Sequence, residues 1–123
     1  MLPNFRMFIR SLRYAFQGLG FLLKENNFRI QLLAAMAVVA QAWYFELSKV
    51  EWCILLLCIG IVLMAEAFNT ALETLCDKIE PDNNEIIGKV KDVSAAAVTL
   101  IALATLFIGV LLFLPHWKSC LKF

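Results

Sequence analysis

The stretch Trp52–Asp77, WCILLLCIGIVLMAEAFNTALETLCD, decides the fold. Trp52 to Ala65 carries no charge, and Glu66 then follows without any break in the helical pattern, which continues to about Ile79. A bilayer-spanning helix needs ~20 predominantly apolar residues, so this segment can cross a membrane. At ~100° per residue, Asn69, Thr70, Glu73 and Asp77 fall at about −60°, +40°, −20° and +20° from Glu66. All five polar groups therefore share one face, while Phe68, Leu72 and Leu75 point elsewhere. Snorkelling at a helix end accounts for Asp77 and for Glu73. It does not account for Glu66, which has no basic residue within a turn. Ionisable groups at membrane depth cost several kcal/mol and face a bundle interior, a pathway or a bound cation.

Working outward, Ile30–Leu47 reads as a second, short span broken only by Gln31, Gln41 and Glu46, and Val93–Leu114 as a third that stops at Pro115. Before Ile30 the pattern changes. Phe5, Phe8, Ile9, Leu12, Phe16, Leu19 and Leu23 recur at helical spacing against a polar stripe of Arg6, Arg10, Arg13, Gln17 and Lys24. That separation predicts an interfacial amphipathic helix within residues 1–29. A secretory signal peptide fits less well, because charge persists to Arg29 before any apolar run begins. The expected architecture is an all-α membrane domain over residues 1–123, with spans at 30–47, 52–76 and 93–114.

Composition agrees. Of 123 residues 62% are hydrophobic and 17% charged, and mean hydropathy is +0.78. A soluble domain averages ~45–50% apolar and ~25% charged. Disorder is excluded by the same figures, and a net charge of +1 gives no basic face for nucleic acid. Lys and Arg number five before the first span and three after the second, against one in the first loop and two in the tail. The positive-inside rule then puts the amino terminus and second loop in the cytoplasm. Trp43, Tyr44, Trp52 and Trp117 suit the opposite interface.

The four cysteines (Cys53, Cys58, Cys76, Cys120) and the single His116 lack zinc-site spacing, and the thiols read as small buried hydrophobes. Phosphate-loop and protein-kinase signatures are missing, and Gly18-Leu19-Gly20 follows no strand. Clustered carboxylates repel one another unless a cation lies between them, and an all-oxygen donor set suits Mg²⁺.

At these residues the chain resembles the small prokaryotic diacylglycerol kinases, a family of integral membrane enzymes that includes undecaprenol kinases. The hallmark E-x-x-N-[ST]-A-[IL]-E-x-x-x-D is complete at Glu66, Asn69, Thr70, Ala71, Leu72, Glu73 and Asp77. K-D-x-x-[AS]-A-[AG]-V is matched from Lys91 to Val98, E-x-x-F-R from Glu25 to Arg29, and a G-L pair at Gly18-Leu19. The resemblance runs through nearly the whole chain. It implies an ATP:lipid phosphotransferase in the bacterial inner membrane, assembled as a homotrimer of three-span subunits. Glu66 would be the general base, and Glu25 and Glu73 would hold Mg²⁺. Arg10, Tyr14, Glu25, Glu73, Asp77, Asp82, Asn83, Asn84, Lys91 and Asp92 would contact ATP, and Glu66, Asn69, Arg29 and Ala95 the lipid. Two departures bear on the acceptor. Gln31 stands where many undecaprenol kinases carry histidine, and Ser94-Ala95 where diacylglycerol kinases of Gram-negative bacteria usually carry glycine then serine.

The chemistry fits phosphoryl transfer, which needs an in-line nucleophile and charge neutralisation more than covalent work. Diacylglycerol is the expected acceptor, with undecaprenol as the alternative. A cation-coupled transporter subunit is a reading of another class, but it needs neither the Lys91-Asp92 pair nor the Asp82–Asn84 loop. A non-catalytic assembly protein would leave Glu66 without a purpose.

Overall fold

The computed structural model describes residues 3–79 and 84–121, and these form four helices: α1 (Pro3–Leu22), α2 (Asn26–Tyr44), α3 (Lys49–Ile79) and α4 (Glu85–Leu121). Short connections make α2, α3 and α4 an antiparallel row. α3 packs most extensively on α4 and less on α2, whereas α1 has no packed interface with the other three. One end of the row carries the α2–α3 turn and the carboxyl end of α4. The other carries the α1–α2 junction, the end of α3 and the start of α4.

The helix ends follow from local chemistry. Ser48 and Glu51 form a reciprocal capping box at the start of α3: the Glu51 N–H donates to Ser48 Oγ at 3.2 Å, and the Ser48 N–H donates to Glu51 Oε1 at 3.1 Å. Asn84 caps α4, its Oδ1 accepting the Ile86 and Ile87 N–H groups at 2.9 and 3.2 Å. α2 closes in a Schellman motif, with Leu47 N–H to Ala42 O and Glu46 N–H to Trp43 O, both at 3.2 Å. Its apolar contact is present, since Ala42 and Leu47 are both buried in one cluster with Leu55 and Phe113. The left-handed position belongs to Glu46, at φ 52°, where glycine would be the easy choice.

The boundaries differ from the sequence expectation in three places. The amphipathic segment does not run to residue 29: α1 ends at Leu22, and Leu23–Glu25 turn into α2, which begins at Asn26. The third apolar segment does not stop at Pro115, which lies inside α4. Proline removes one N–H from the ladder, but the turn beyond it is anchored from outside. His116 Nε2 lies 2.9 Å from Glu51 Oε2, and the Trp117 indole N–H donates to Gln41 Oε1 at 3.1 Å. Phe45 stacks on His116 and Phe113 on Trp117. Finally, among the described residues α3 and α4 are the two helices long and apolar enough to cross a membrane, whereas α2 is shorter and more polar.

Little of this chain is covered by its own fold. The accessible surface is 9795 Å², against about 6,700 Å² for a folded soluble monomer of this mass. The excess is apolar: Phe5, Phe16, Leu57, Phe68, Leu100 and Phe107 are all exposed. Such a surface requires lipid or further protein around it. At ~1.5 Å per residue α3 is about 46 Å long, longer than the ~30 Å hydrocarbon core, so one of its ends must project from the bilayer.

The Schellman turn generates a stability prediction. Glu46→Gly should relieve the left-handed strain and raise stability by about 1 kcal/mol, seen as a higher thermal midpoint in detergent. A lowered midpoint would mean that the Glu46 side chain contributes more than its backbone costs.

Candidate active site

The polar face of α3 does converge. Glu66 is 3% exposed and Asn69 6%, although both sit on a predominantly apolar helix. Gln31 of α2 meets Glu66 directly, its Nε2 donating to Oε2 at 3.1 Å. One turn further along α3, Asn69 Nδ2 donates to Glu73 Oε1 at 3.2 Å. Glu73 itself is exposed. Both Glu73 and Glu25 are near enough for their charges to act on Glu66. Three carboxylates from two helices thus share one electrostatic neighbourhood.

A cleft of about 300 Å³ opens among these groups, lined by Gln31, Glu66, Asn69, Glu73, Ala95 and Thr99. Ala95 presents only a methyl group there, which leaves room for a ligand beside the carboxylates. Two acceptors, Gln31 Oε1 and Asn69 Oδ1, are buried with no partner among the described residues. An unpaired buried polar atom costs ~1–3 kcal/mol, and sites that bind polar ligands are where such costs are tolerated.

Next to the cleft, Asp77 of α3 pairs with Lys91 of α4. This ion pair joins the carboxyl end of α3 to the first turns of α4 and sets a cation one turn from Glu73. Both partners are well exposed, so the pair contributes to placement more than to stability. Asp92 is exposed beside it. Glu25 occupies the N-cap of α2 with extended backbone (φ −86°, ψ 128°), and its side chain makes no capping bond. Its carboxylate is therefore not used up by the helix end. Arg29, one turn on, donates to Asn26 Oδ1.

Of the residues expected from sequence, Glu66, Asn69, Glu73 and Ala95 line one cleft, with Asp77 and Lys91 paired beside it. Asn84 has a structural duty, capping α4 with the side chain expected to contact nucleotide. Asp82 and Asn83 lie outside the described residues. Arg10 and Tyr14 sit on exposed faces of α1, and nothing in the fold ties them to the cleft. Among the described residues no three acidic, histidine or cysteine side chains form a metal cage by themselves. That is compatible with Mg²⁺, which is commonly held by one or two carboxylates together with phosphate oxygens and water. What the sequence left unseen is that Gln31, noted only as a break in the first span and a departure from a family pattern, is the partner of Glu66. A polar side chain early in an apolar span needs a partner, and that was the available signal.

Comparison with known proteins agrees with this geometry. Residues 13–113 match the family described as prokaryotic diacylglycerol kinase. The chain is 36% identical over 109 residues to the undecaprenol kinase of Bacillus subtilis, covering 88% of this chain and 89% of that protein. It is 34% identical over 111 residues to the diacylglycerol kinase of Synechocystis sp., covering 89% of this chain and 63% of that protein. Against the diacylglycerol kinase of Haemophilus influenzae the identity is 31% over 91 residues, covering 73% and 77% respectively. The matched span takes in every residue that lines the cleft, from Asn27 to Thr99, and the chain belongs to the prokaryotic diacylglycerol kinase family.

Proposed function

We propose that this protein transfers the γ-phosphate of Mg-ATP to the primary hydroxyl of a membrane lipid, with diacylglycerol as the first acceptor to test and undecaprenol as the alternative. The observation that carries the reading is Glu66: a 3% exposed carboxylate, held by Gln31 and opening on a cleft with Glu73. Phosphoryl transfer asks a protein for positioning and charge stabilisation. Glu66 Oε2 is occupied by Gln31, which leaves Oε1 to accept the proton of the lipid hydroxyl as the hydroxyl oxygen attacks the γ-phosphorus. The bond from phosphorus to the β,γ-bridging oxygen breaks, and the products are a lipid phosphate and ADP. Glu25 and Glu73 would hold Mg²⁺, which when bound neutralises phosphate charge. Lys91, steadied by Asp77, provides a protein cation for the same purpose, and Asp92 and Asn84 flank the nucleotide side.

The amphipathic pattern of α1 suits an interfacial helix that carries Arg10 and Tyr14 towards the nucleotide. Arg29 lies where the acceptor's polar head would enter. Lys and Arg distribution supports a cytoplasmic amino terminus in a bacterial inner membrane, with α2 as a third span beside α3 and α4. The uncovered apolar surface and the split of acidic groups between two helices support a homotrimer with shared sites. No feature of the cleft favours a cation-coupled transporter.

Two measurements test this. Glu66→Gln keeps the side chain's size, so it should lower lipid phosphorylation by ~10²–10⁴-fold while ATP binding persists. Activity within a few-fold of wild type would remove Glu66 as the base. For the shared site, inactive Glu25→Ala and Glu66→Gln subunits are mixed, dissociated and reassembled in detergent. Recovered phosphorylation is the expected result, since some mixed interfaces would receive both intact residues. No recovery despite demonstrated hetero-assembly would place each site within one chain.

A further inference from the structure

Among the described residues α1 has no packed interface with α2, α3 or α4. Its apolar and basic side chains alike stand exposed, Phe5 at 66% and Phe16 at 70% among them. Charge is unevenly divided along the chain. Residues 1–24 hold four basic residues and no acidic one, whereas residues 25–123 hold seven basic and ten acidic. The net charge of +1 therefore conceals a cationic first segment joined to an anionic remainder.

Within α1 the charge forms a ridge. At ~100° per residue, Arg10 and Arg13 lie at about +40° and −20° from Arg6, so all three share ~60° of arc. Phe5, Ile9, Leu12, Phe16 and Leu19 lie between about −60° and −140°, so the ridge borders the apolar face instead of opposing it. With that face in the acyl layer, the arginines extend sideways at the level of the headgroups. Among the described residues none of the three enters an ion pair.

We propose that α1 docks on the anionic phospholipid headgroups of the leaflet around the protein, with Arg6 and Arg13 selecting anionic over zwitterionic lipid. The occupant follows from charge complementarity. Uncompensated guanidinium groups beside an apolar face match a surface that is anionic above and hydrocarbon beneath. Each guanidinium is planar and can pair a phosphate through two parallel hydrogen bonds. Seven residues separate Arg6 from Arg13, about 10 Å along the axis, so the two meet separate headgroups while Arg10 between them stays available to nucleotide. The docking rests on the interfacial placement of α1 and not on the transfer chemistry. It adds a lipid-composition dependence: a helix of this length is marginal in water by itself, so the order of α1 follows the charge of the leaflet.

Hydrogen exchange tests this without reference to activity. Full-length protein is placed in nanodiscs of phosphatidylcholine alone, or of equal parts phosphatidylcholine and phosphatidylglycerol, without nucleotide. Peptides within residues 4–22 should exchange about tenfold or more slowly in the anionic discs, since each basic residue near such a surface adds a several-fold preference. Peptides of α3 and α4 should exchange equally in both. Raised salt should shrink the difference. The double variant Arg6→Gln with Arg13→Gln should lose it, while unchanged exchange in α3 and α4 reports that the variant is folded. Equal exchange of α1 in the two discs would overturn the proposal, and that comparison needs wild-type protein alone. Slowing that requires ATP would assign the ridge to nucleotide instead. Slowing that tracks the number of subunits per disc, and not lipid charge, would assign the face to a second copy of the chain. Either result would equally overturn the docking.

Discussion

A carboxylate on an apolar helix must be paid for by its surroundings, and the hydrogen bond from Gln31 to Glu66 is the contact on which this site depends. It crosses from α2 to α3 at 3.1 Å and satisfies one oxygen of a side chain that is 3% exposed. Without it Glu66 would face the cost of a buried polar group left unpaired. With it, α2 and α3 are registered so that Glu25 at the head of α2 comes within electrostatic range of Glu66. Gln31 and Glu66 then line one cleft, and the two orphaned amide oxygens belong to Gln31 and Asn69 of the same cleft. The opposite end of the row is registered separately, by Glu51 with His116 and Gln41 with Trp117. Polar pairs at both ends thus position the helices, and the buried apolar cluster of Ala42, Leu47, Leu55 and Phe113 adds packing at the α2–α3 turn.

Energetically the chain is unfinished by itself. Ala42, Leu47, Leu55 and Phe113 form a small buried cluster, and no large side chain is fully buried. In water such exposure would be ruinous. In a bilayer it costs little, because lipid tails are as apolar as leucine, and helix association then rests on packing and interhelical hydrogen bonds. This explains why so few, well-placed polar contacts determine the arrangement.

Much of this was legible in the sequence. The helical period of Trp52–Asp77 placed Glu66, Asn69 and Glu73 on one face, and the structure lines one cleft with them. The Lys91–Asp92 motif fell beside Asp77, as the pairing of Lys91 shows. What escaped notice depended on tertiary partners. Pro115 reads as a helix stop because its own chemistry opposes continuation, yet His116 and Trp117 find partners 65 and 76 residues away. Gln31 looked like a departure from a family pattern because its use depends on Glu66, 35 residues distant. The capping of α4 by Asn84 was not foreseen, because the sequence reading weighed that side chain only for the nucleotide contact that the resemblance implies.

The central claim is that a phosphate passes from ATP to a lipid hydroxyl in the bilayer, and direct transfer tests it best. Purified protein in mixed micelles is given γ-labelled ATP with diacylglycerol or undecaprenol offered separately, in Mg²⁺ and again after chelation. The account predicts label in the extracted lipid with at least one acceptor, lost when Mg²⁺ is removed. Label that stays entirely in nucleotide and free phosphate with both acceptors, from protein shown to be folded and to bind ATP, would contradict it.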